Sequence, residues 1–425
     1  MSATTSPRTE MSRGSMAVAA FSTIVEWYDF TLYLYFATVL SRVFLGGGKT
    51  GLVTILAGFA IAYLLRPFGA LAFGHVGDRL GRRRMMLLSV AIMTVAMLGT
   101  ALLPTYDQVG AVAGVALFLL RCVMGFSVGG EYCVVVAYLL EGAPHNRRGL
   151  VTSLAAAASE IGALLAVGVS SLTVSFTTVA DLDAWGWRIP FFVGAALAAS
   201  VWMARLAMQE SPDFERQQAC GTVPARPLRY ALVHHRAGIL RGFAISALGS
   251  ITYYVGITYV PAFLTSVRAL GENDSLQLST VAAVAVILIT PLTGALSDRL
   301  GRKIVLIFLC GCSAIFPMLL FYVMAGGSHM EALLGAVILA SVAGAVSAVG
   351  AVATAEQFPG EGRLTGLALG ATTATAIFGG LTPYVAQILI DRTGWSTVPG
   401  AMIAVVALCV LPLLLTLPDA ALSKG

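Results

Sequence analysis

Apolar residues along this chain gather into twelve windows, each long enough to cross the ~30 Å hydrocarbon core of a bilayer, which takes about 20 helical residues. Numbered in order, spans 1 to 6 lie near 17–42, 52–77, 85–104, 110–138, 149–176 and 188–208, and spans 7 to 12 near 239–264, 276–297, 304–325, 331–355, 364–390 and 397–417. The windows lack the ten-residue alternation of barrel strands, and a span in lipid has to satisfy its own backbone groups, so they are predicted to be helices. An even number of helices puts both termini on one side. The longest polar interruption, with Pro212, Pro224 and Pro227, divides the chain into a six-helix bundle over 1–208, a linker loop over 209–238 and a second six-helix bundle over 239–425. The expected fold class is therefore all-α integral membrane, with twelve transmembrane helices in two bundles.

Composition supports this setting. Hydrophobic residues make up 58% of the 425 and charged residues 11%, against about 25% charged in soluble proteins. A formal charge of +5 thus describes loops and is no nucleic-acid footprint. With residue 1 inside, nineteen Lys and Arg fall on that face and five (Arg42, Lys49, Arg188, Arg268 and Arg392) on the other. This is the positive-inside pattern; it places the termini in the cytoplasm and accounts for the basic stretch from Arg205 to Arg241. The six cysteines lie mostly in apolar runs and make no disulfide framework. Residues 1 to 16 are polar and the run after them is too long for a signal h-region, so no cleaved leader is expected.

The halves repeat each other. Gly74-His75-Val76-Gly77-Asp78-Arg79-Leu80-Gly81-Arg82-Arg83 follows span 2, and Gly294-Ala295-Leu296-Ser297-Asp298-Arg299-Leu300-Gly301-Arg302-Lys303 follows span 8; both read G-x-x-x-D-R-L-G-R-[RK]. A second echo, E-x-x-P-x-x-x-R, follows span 4 (Glu141, Pro144, Arg148) and span 10 (Glu356, Pro359, Arg363).

On these motifs the chain resembles the major facilitator superfamily, whose halves are parallel repeats. Glu26-Trp27-Tyr28-Asp29-Phe30, Leu65-Arg66-Pro67-Phe68-Gly69, Gly125-Phe126-Ser127-Val128-Gly129-Gly130-Glu131-Tyr132 and Gly186-Trp187-Arg188-Ile189-Pro190-Phe191 narrow the likeness to the metabolite:proton symporters, carriers of citrate, 2-oxoglutarate, shikimate, proline or betaine. The resemblance implies a proton-coupled secondary transporter working by alternating access, not an enzyme. It implies that Asp78 and Asp298, with Gly74, Arg79, Gly81 and Arg82 and with Arg299, Gly301 and Arg302, latch the cytoplasmic ends in the outward-open state. Arg121-Cys122-Val123-Met124-Gly125 looks like the superfamily's span-4 R-x-x-x-G motif of proton-linked members, with Met124 where Gln is common. The glycine-proline motif of antiporters is missing from span 5, which favours symport.

Independently of any family, two carboxylates inside span 1 demand a reason, because lipid charges several kcal/mol for each. At 1.5 Å per residue, Glu26 lies roughly 14 Å and Asp29 roughly 18 Å from the cytoplasmic start of span 1, with Arg66 and Glu160 each about 16 Å deep. Arg121 comes at about 25 Å and Glu131 at about 10 Å on span 4, so their partners belong to other helices. Glu26, Asp29 and Tyr33 share one helical face. Pairing Arg66 or Arg121 with Asp29, Glu26 or Glu160 offsets desolvation, and a carboxylate that exchanges an Arg partner for a proton is a coupling device. The expected proton-coupling groups are Asp29, Glu26, Glu131 and Glu160, with Asp29 favoured for its depth. Spans 7 to 12 offer neutral polar groups instead. The expected substrate groups are Arg66, Arg121, Trp27, Tyr28 and Tyr33 from the first half, and Tyr253, Tyr254, Thr372 and Gln387 from the second.

Other patterns carry no chemistry. Gly125-Phe126-Ser127-Val128-Gly129 fits G-x-S-x-G without its strand–turn–helix context, and its glycines read better as a packing seam. Gly46-Gly47-Gly48-Lys49-Thr50 lacks the first glycine of a phosphate loop. Asn273-Asp274-Ser275 matches a glycosylation site. The reading is uptake, by a monomer in a bacterial inner membrane, of a small organic acid held by two arginines as a fork, with protons and no cofactor or metal. A zwitterionic osmolyte facing the acids beside Trp27 and Tyr28 is the alternative, and a membrane enzyme or receptor a remoter one.

Overall fold

The computed structural model describes residues 11–268 and 272–418. Every regular element among them is helical. Ten helices are long and apolar enough to cross a membrane singly, and Arg236–Thr258 with Val260–Val267, bent by 45°, make an eleventh. The stretch read from sequence as one continuous span 1 is instead three helices in series, Arg13–Phe21, Thr23–Tyr35 and Ala37–Leu45. At the first break the Ser22 hydroxyl donates to the Ala19 carbonyl at 2.6 Å, the back-bonding that bends helices.

Prolines and widened turns break three further spans. Span 2 is Gly48–Leu64 and Arg66–Leu80; Pro67, second in the lower helix, has no N–H and crowds the turn before it. Span 7 runs Arg236–Tyr253, a π turn Tyr254–Thr258, then Val260–Arg268 with Pro261 after the bend. Span 11 runs from Arg363–Leu367 through π turns at Ala368–Thr372 and Ala376–Gly380 to Thr382–Thr393. Such turns free backbone groups and occur often at functional sites. The other spans are less interrupted: Arg82–Leu102, Val112–Gly142, Arg148–Phe176 and Arg188–Leu206, then Glu272–Leu300, Arg302–Gly326, His329–Glu356 and Val398–Leu415. The linker holds two short helices, Pro212–Cys220 and Pro227–His234, the first capped by the Ser211 hydroxyl.

Span 5 packs along span 1 and, across the halves, along span 8; span 2 packs along span 4 and touches span 11. The expected packing seam is present. A Cβ at Gly125 would lie 2.2 Å from the Ala62 carbonyl oxygen, and one at Gly129 2.1 Å from that of Arg66, so only glycine admits this approach. Large apolar side chains such as Phe176, Leu292 and Tyr322 point outward, as a bilayer requires. Arg8, Lys424 and the Asn273 side chain fall outside the described residues.

Candidate functional site

The break before Pro67 puts Arg66 at the head of a helix, where its guanidinium reaches span 1. Arg66 Nη1 lies 3.5 Å from Glu26 Oε1 and its guanidinium carbon 4.4 Å from the centre of the Tyr63 ring. One turn further along span 1, Asp29 takes a two-pronged ion pair from Arg121, at 2.7 Å to Nη1 and 2.8 Å to Nη2. The Arg121 guanidinium rests 4.7 Å from the Tyr33 ring centre. The sequence left the partners of these charges open; the long Arg121 side chain spans the difference in depth that counting along the helices gives. All four groups are buried or nearly so, and the pairing offsets a desolvation that none of them could bear singly.

Around Glu26 and Arg66 opens a cavity of about 170 Å³. The first half supplies Glu26, Trp27, Arg66, Tyr132 and Glu160, and the second supplies Tyr253, Tyr254, Thr372 and Thr375. Arg66 is the one cation, and Glu26 and Glu160 the two acids, among the described residues of its wall. Several bonds join the halves here, among them one of 3.3 Å between Cys133 Sγ and the Thr372 hydroxyl. The Tyr253 hydroxyl donates to Glu160 Oε1 at 2.5 Å, and the Tyr63 and Tyr254 hydroxyls lie 2.6 Å apart. The indole of Trp27 packs edge-on against Tyr253.

Several expected site residues sit elsewhere. Tyr28 is fully buried in an apolar cluster and donates to the Pro190 carbonyl at 2.8 Å, away from the cavity. Tyr33 lies under Arg121, and Arg121 itself is spent on Asp29 outside the cavity wall, so the expected two-arginine fork does not form. Gln387 accepts from Tyr259 and donates to Asp391. Glu131 faces away from the cavity into a buried cluster with Arg205 and Ser89, where Arg205 also donates to Ser22 and the Met86 carbonyl. By sequence Arg205 belongs to the basic stretch that the positive-inside pattern explains; the structure buries it completely. Tyr63 and Tyr132 are not among the expected site residues, although Tyr63 precedes Arg66 by three residues and so shares its helical face.

At the end of the bundle that carries the linker, the repeated motif explains itself. Asp78 accepts from the backbone N–H of Leu364 (3.2 Å) and Thr365 (2.9 Å) and from the Thr365 hydroxyl (2.8 Å), capping span 11 in the other half. Asp298 reciprocates by accepting from the N–H of Gly149 (2.8 Å) and Leu150 (2.9 Å), capping span 5. A carboxylate on the first free amides of a helix meets both the unpaired donors and the positive end of the helix dipole. Gly74 and Gly294, four residues earlier, allow the approach; a Cβ on them would stand 3.1 Å from Leu364 backbone and 2.5 Å from the Gly149 oxygen. Gly81 and Gly301 turn the chain at φ +105° and +91°, where other residues are strained.

Arg82 and Arg302 complete the motif. Arg82 binds Glu141 at 3.0 Å and approaches Asp78 at 3.6 Å, while Arg302 binds Asp298 at 2.6 Å and approaches Glu356 at 3.4 Å. The glutamate of one E-x-x-P-x-x-x-R copy takes the arginine of the other, Glu141 to Arg363 at 2.6 Å. Arg79 and Arg299 are exposed. The linker adds to the first latch: Glu210 accepts from the Arg82 and Arg83 amides, and Asp213 lies 3.3 Å from Arg363.

Comparison with known proteins agrees with this architecture. A family model described as sugar (and other) transporter matches residues 15–221, and the Major Facilitator Superfamily model matches residues 269–425. The ectoine/proline transporter of Corynebacterium glutamicum is 32% identical over 89% of this chain and 78% of its own length. The alpha-ketoglutarate permease of Escherichia coli is 32% identical over 87% and 86%, and the citrate-proton symporter of Klebsiella pneumoniae 28% identical over 93% and 89%. A solved proton:xylose symporter with bound 6-bromo-6-deoxy-D-glucose superposes with a TM-score of 0.79 over 96% of both chains at 19% identity, a likeness of fold. With a buried ion pair facing a cavity between repeated halves, and with these relatives, the chain belongs to the major facilitator superfamily of secondary transporters, in its metabolite:proton symporter family.

Proposed function

We propose that this protein is a proton symporter that takes up a small zwitterion bearing one carboxylate, of the proline or betaine kind. The observation that carries the reading is the charge of the cavity wall, one arginine against two acids. A carboxylate of the solute displaces Glu26 from Arg66, and the proton taken up by Glu26 removes the repulsion between the two acids. The cationic end of the solute then faces Glu160, with the rings of Trp27 and Tyr253 beside it. A di- or tricarboxylate, which the sequence alone favours, would meet a single arginine, because Arg121 is not among the lining residues of the cavity. Relatives named for ectoine and proline and for alpha-ketoglutarate are equally similar to this chain, so the preference rests on the wall and not on them.

Transport proceeds by rocking of the bundles 1–208 and 239–425 about the cavity. The Asp78 and Asp298 caps hold the linker face shut, and the Tyr63–Tyr254 bond ties the two halves together at the cavity wall. The positive-inside count supports a linker face in the cytoplasm, and the reading is of a monomer in a bacterial inner membrane. Uptake of labelled proline into proteoliposomes under an inward proton gradient, with betaine and citrate as competitors, tests the substrate. Competition by betaine and not citrate supports the zwitterion; the reverse restores the organic acid.

A further inference from the structure

Beside the main cavity, and deeper in the first half, lies a second void of about 30 Å³ between spans 1, 2 and 4. Both ion pairs border it. Span 1 contributes Glu26 and Asp29, span 2 Tyr63 and Arg66, and span 4 Arg121, and these are its titratable and charged groups among the described residues. Phe30, Phe59, Ala62, Met124, Gly125 and Val128 close the rest. Each pair keeps one buried polar atom without a protein hydrogen-bond partner, Glu26 Oε2 and Arg121 Nε. Leaving both unpaired in a dry interior is costly, and a water needs about 10–15 Å³ of space and two or more polar partners. The void offers both.

We propose that this void is a water site that joins the two ion pairs into one proton-sharing unit. The proposal rests on proton-coupled transport as read above and adds the path by which the proton leaves the cavity wall. Arg121 Nε–H donates to the water oxygen, and the water donates to Glu26 Oε2. When Glu26 is protonated from the cavity, its O–H donates to the water, which passes one of its own protons to Asp29. One proton has then moved, Glu26 is again a carboxylate that can hold Arg66, and neutral Asp29 releases Arg121. A single proton thus loosens the two pairs in turn, which explains why span 1 carries two acids where one would serve a simple exchange.

Pulsed X-ray hydroxyl-radical labelling tests the water without reference to transport, because radicals form from ordered water where it sits. Met124 and Met97 are both buried in one apolar cluster, at 2% and 0% exposure, but Met124 borders the void and Met97 is not among its lining residues. In the purified protein Met124 should be oxidised at least tenfold faster than Met97; equal protection of both overturns the water site. The relay is tested by Ala62→Val, which adds two methyl groups to the void's wall, read as the ratio of proton-driven uptake to solute counterflow. A fall of tenfold or more in that ratio, together with loss of Met124 labelling, supports the relay. An unchanged ratio once Met124 is protected overturns it, while proton-independent uptake by the wild type would instead sink the symport reading.

Discussion

Replacing Asp78 by Asn removes a charge from a position with three donors and no solvent. Asp78 accepts from Leu364 N–H, Thr365 N–H and the Thr365 hydroxyl, and faces Arg82 at 3.6 Å. An asparagine keeps one acceptor oxygen and turns an NH₂ toward at least one of these donors. A hydrogen bond to a charged acceptor contributes about 1.5–3 kcal/mol, and the favourable end of a helix dipole about 0.3–1 kcal/mol more. The latched state should therefore lose about 2–4 kcal/mol, which at about 1.4 kcal/mol per tenfold is a roughly thirty- to several-hundred-fold shift toward an open linker face. Double electron–electron resonance between spin labels at Arg84 and Arg299, both exposed on that face, reports the separation of the halves. The distance distribution should lengthen in Asp78→Asn and stay put in Arg79→Gln, whose side chain is exposed. A distribution unmoved by Asp78→Asn refutes the cap as a latch.

Other expectations follow from single contacts. Tyr63→Phe deletes the bond to Tyr254, a net of about 1 kcal/mol, and should raise several-fold the labelling of cavity residue Cys133 by a reagent added from the face opposite the linker. Arg205→Met leaves Glu131 buried and unpaired, which costs about 3–5 kcal/mol and should lower the thermal midpoint markedly, with much of the loss restored in Glu131→Gln/Arg205→Met. Gly125→Val drives a side chain into the Ala62 carbonyl and should yield no monodisperse protein on size-exclusion chromatography. Glu160→Gln removes one of the two acids of the cavity wall, the one proposed to face the cationic end of the solute, and should raise the KM for a zwitterion at least tenfold in an uptake assay while sparing the linker-face distance distribution.

The all-helical spans and the internal repeat were readable because each leaves a mark of length, identity or spacing, while the breaks within spans 1, 2, 7 and 11 were not. The repeated glycines and aspartates were recognisable as a motif, but not that each aspartate caps a helix in the opposite half, since no local pattern says what lies across a gap. Charge was an imperfect guide to the cavity. It picked Glu131 and passed over its neighbour Tyr132, although a helix turns about 100° per residue and adjacent side chains face different ways. Tyr28 was misplaced for the same reason: it neighbours Trp27 in sequence, yet points into the apolar packing at Pro190. Arg205 was hidden by its position, since a cation at the end of a span reads as a membrane-surface anchor until its burial is seen.

The exchange of Arg66 from Glu26 to a solute carboxylate, with a proton moving onto Glu26, is the centre of this account. It is tested most directly by proton flux. Proline or betaine added outside proteoliposomes holding a pH-sensitive dye should acidify the interior with the wild type, and should not with Glu26→Gln, which should still exchange solute. Acidification by Glu26→Gln equal to that of the wild type, or acidification driven by citrate and by neither zwitterion, contradicts it.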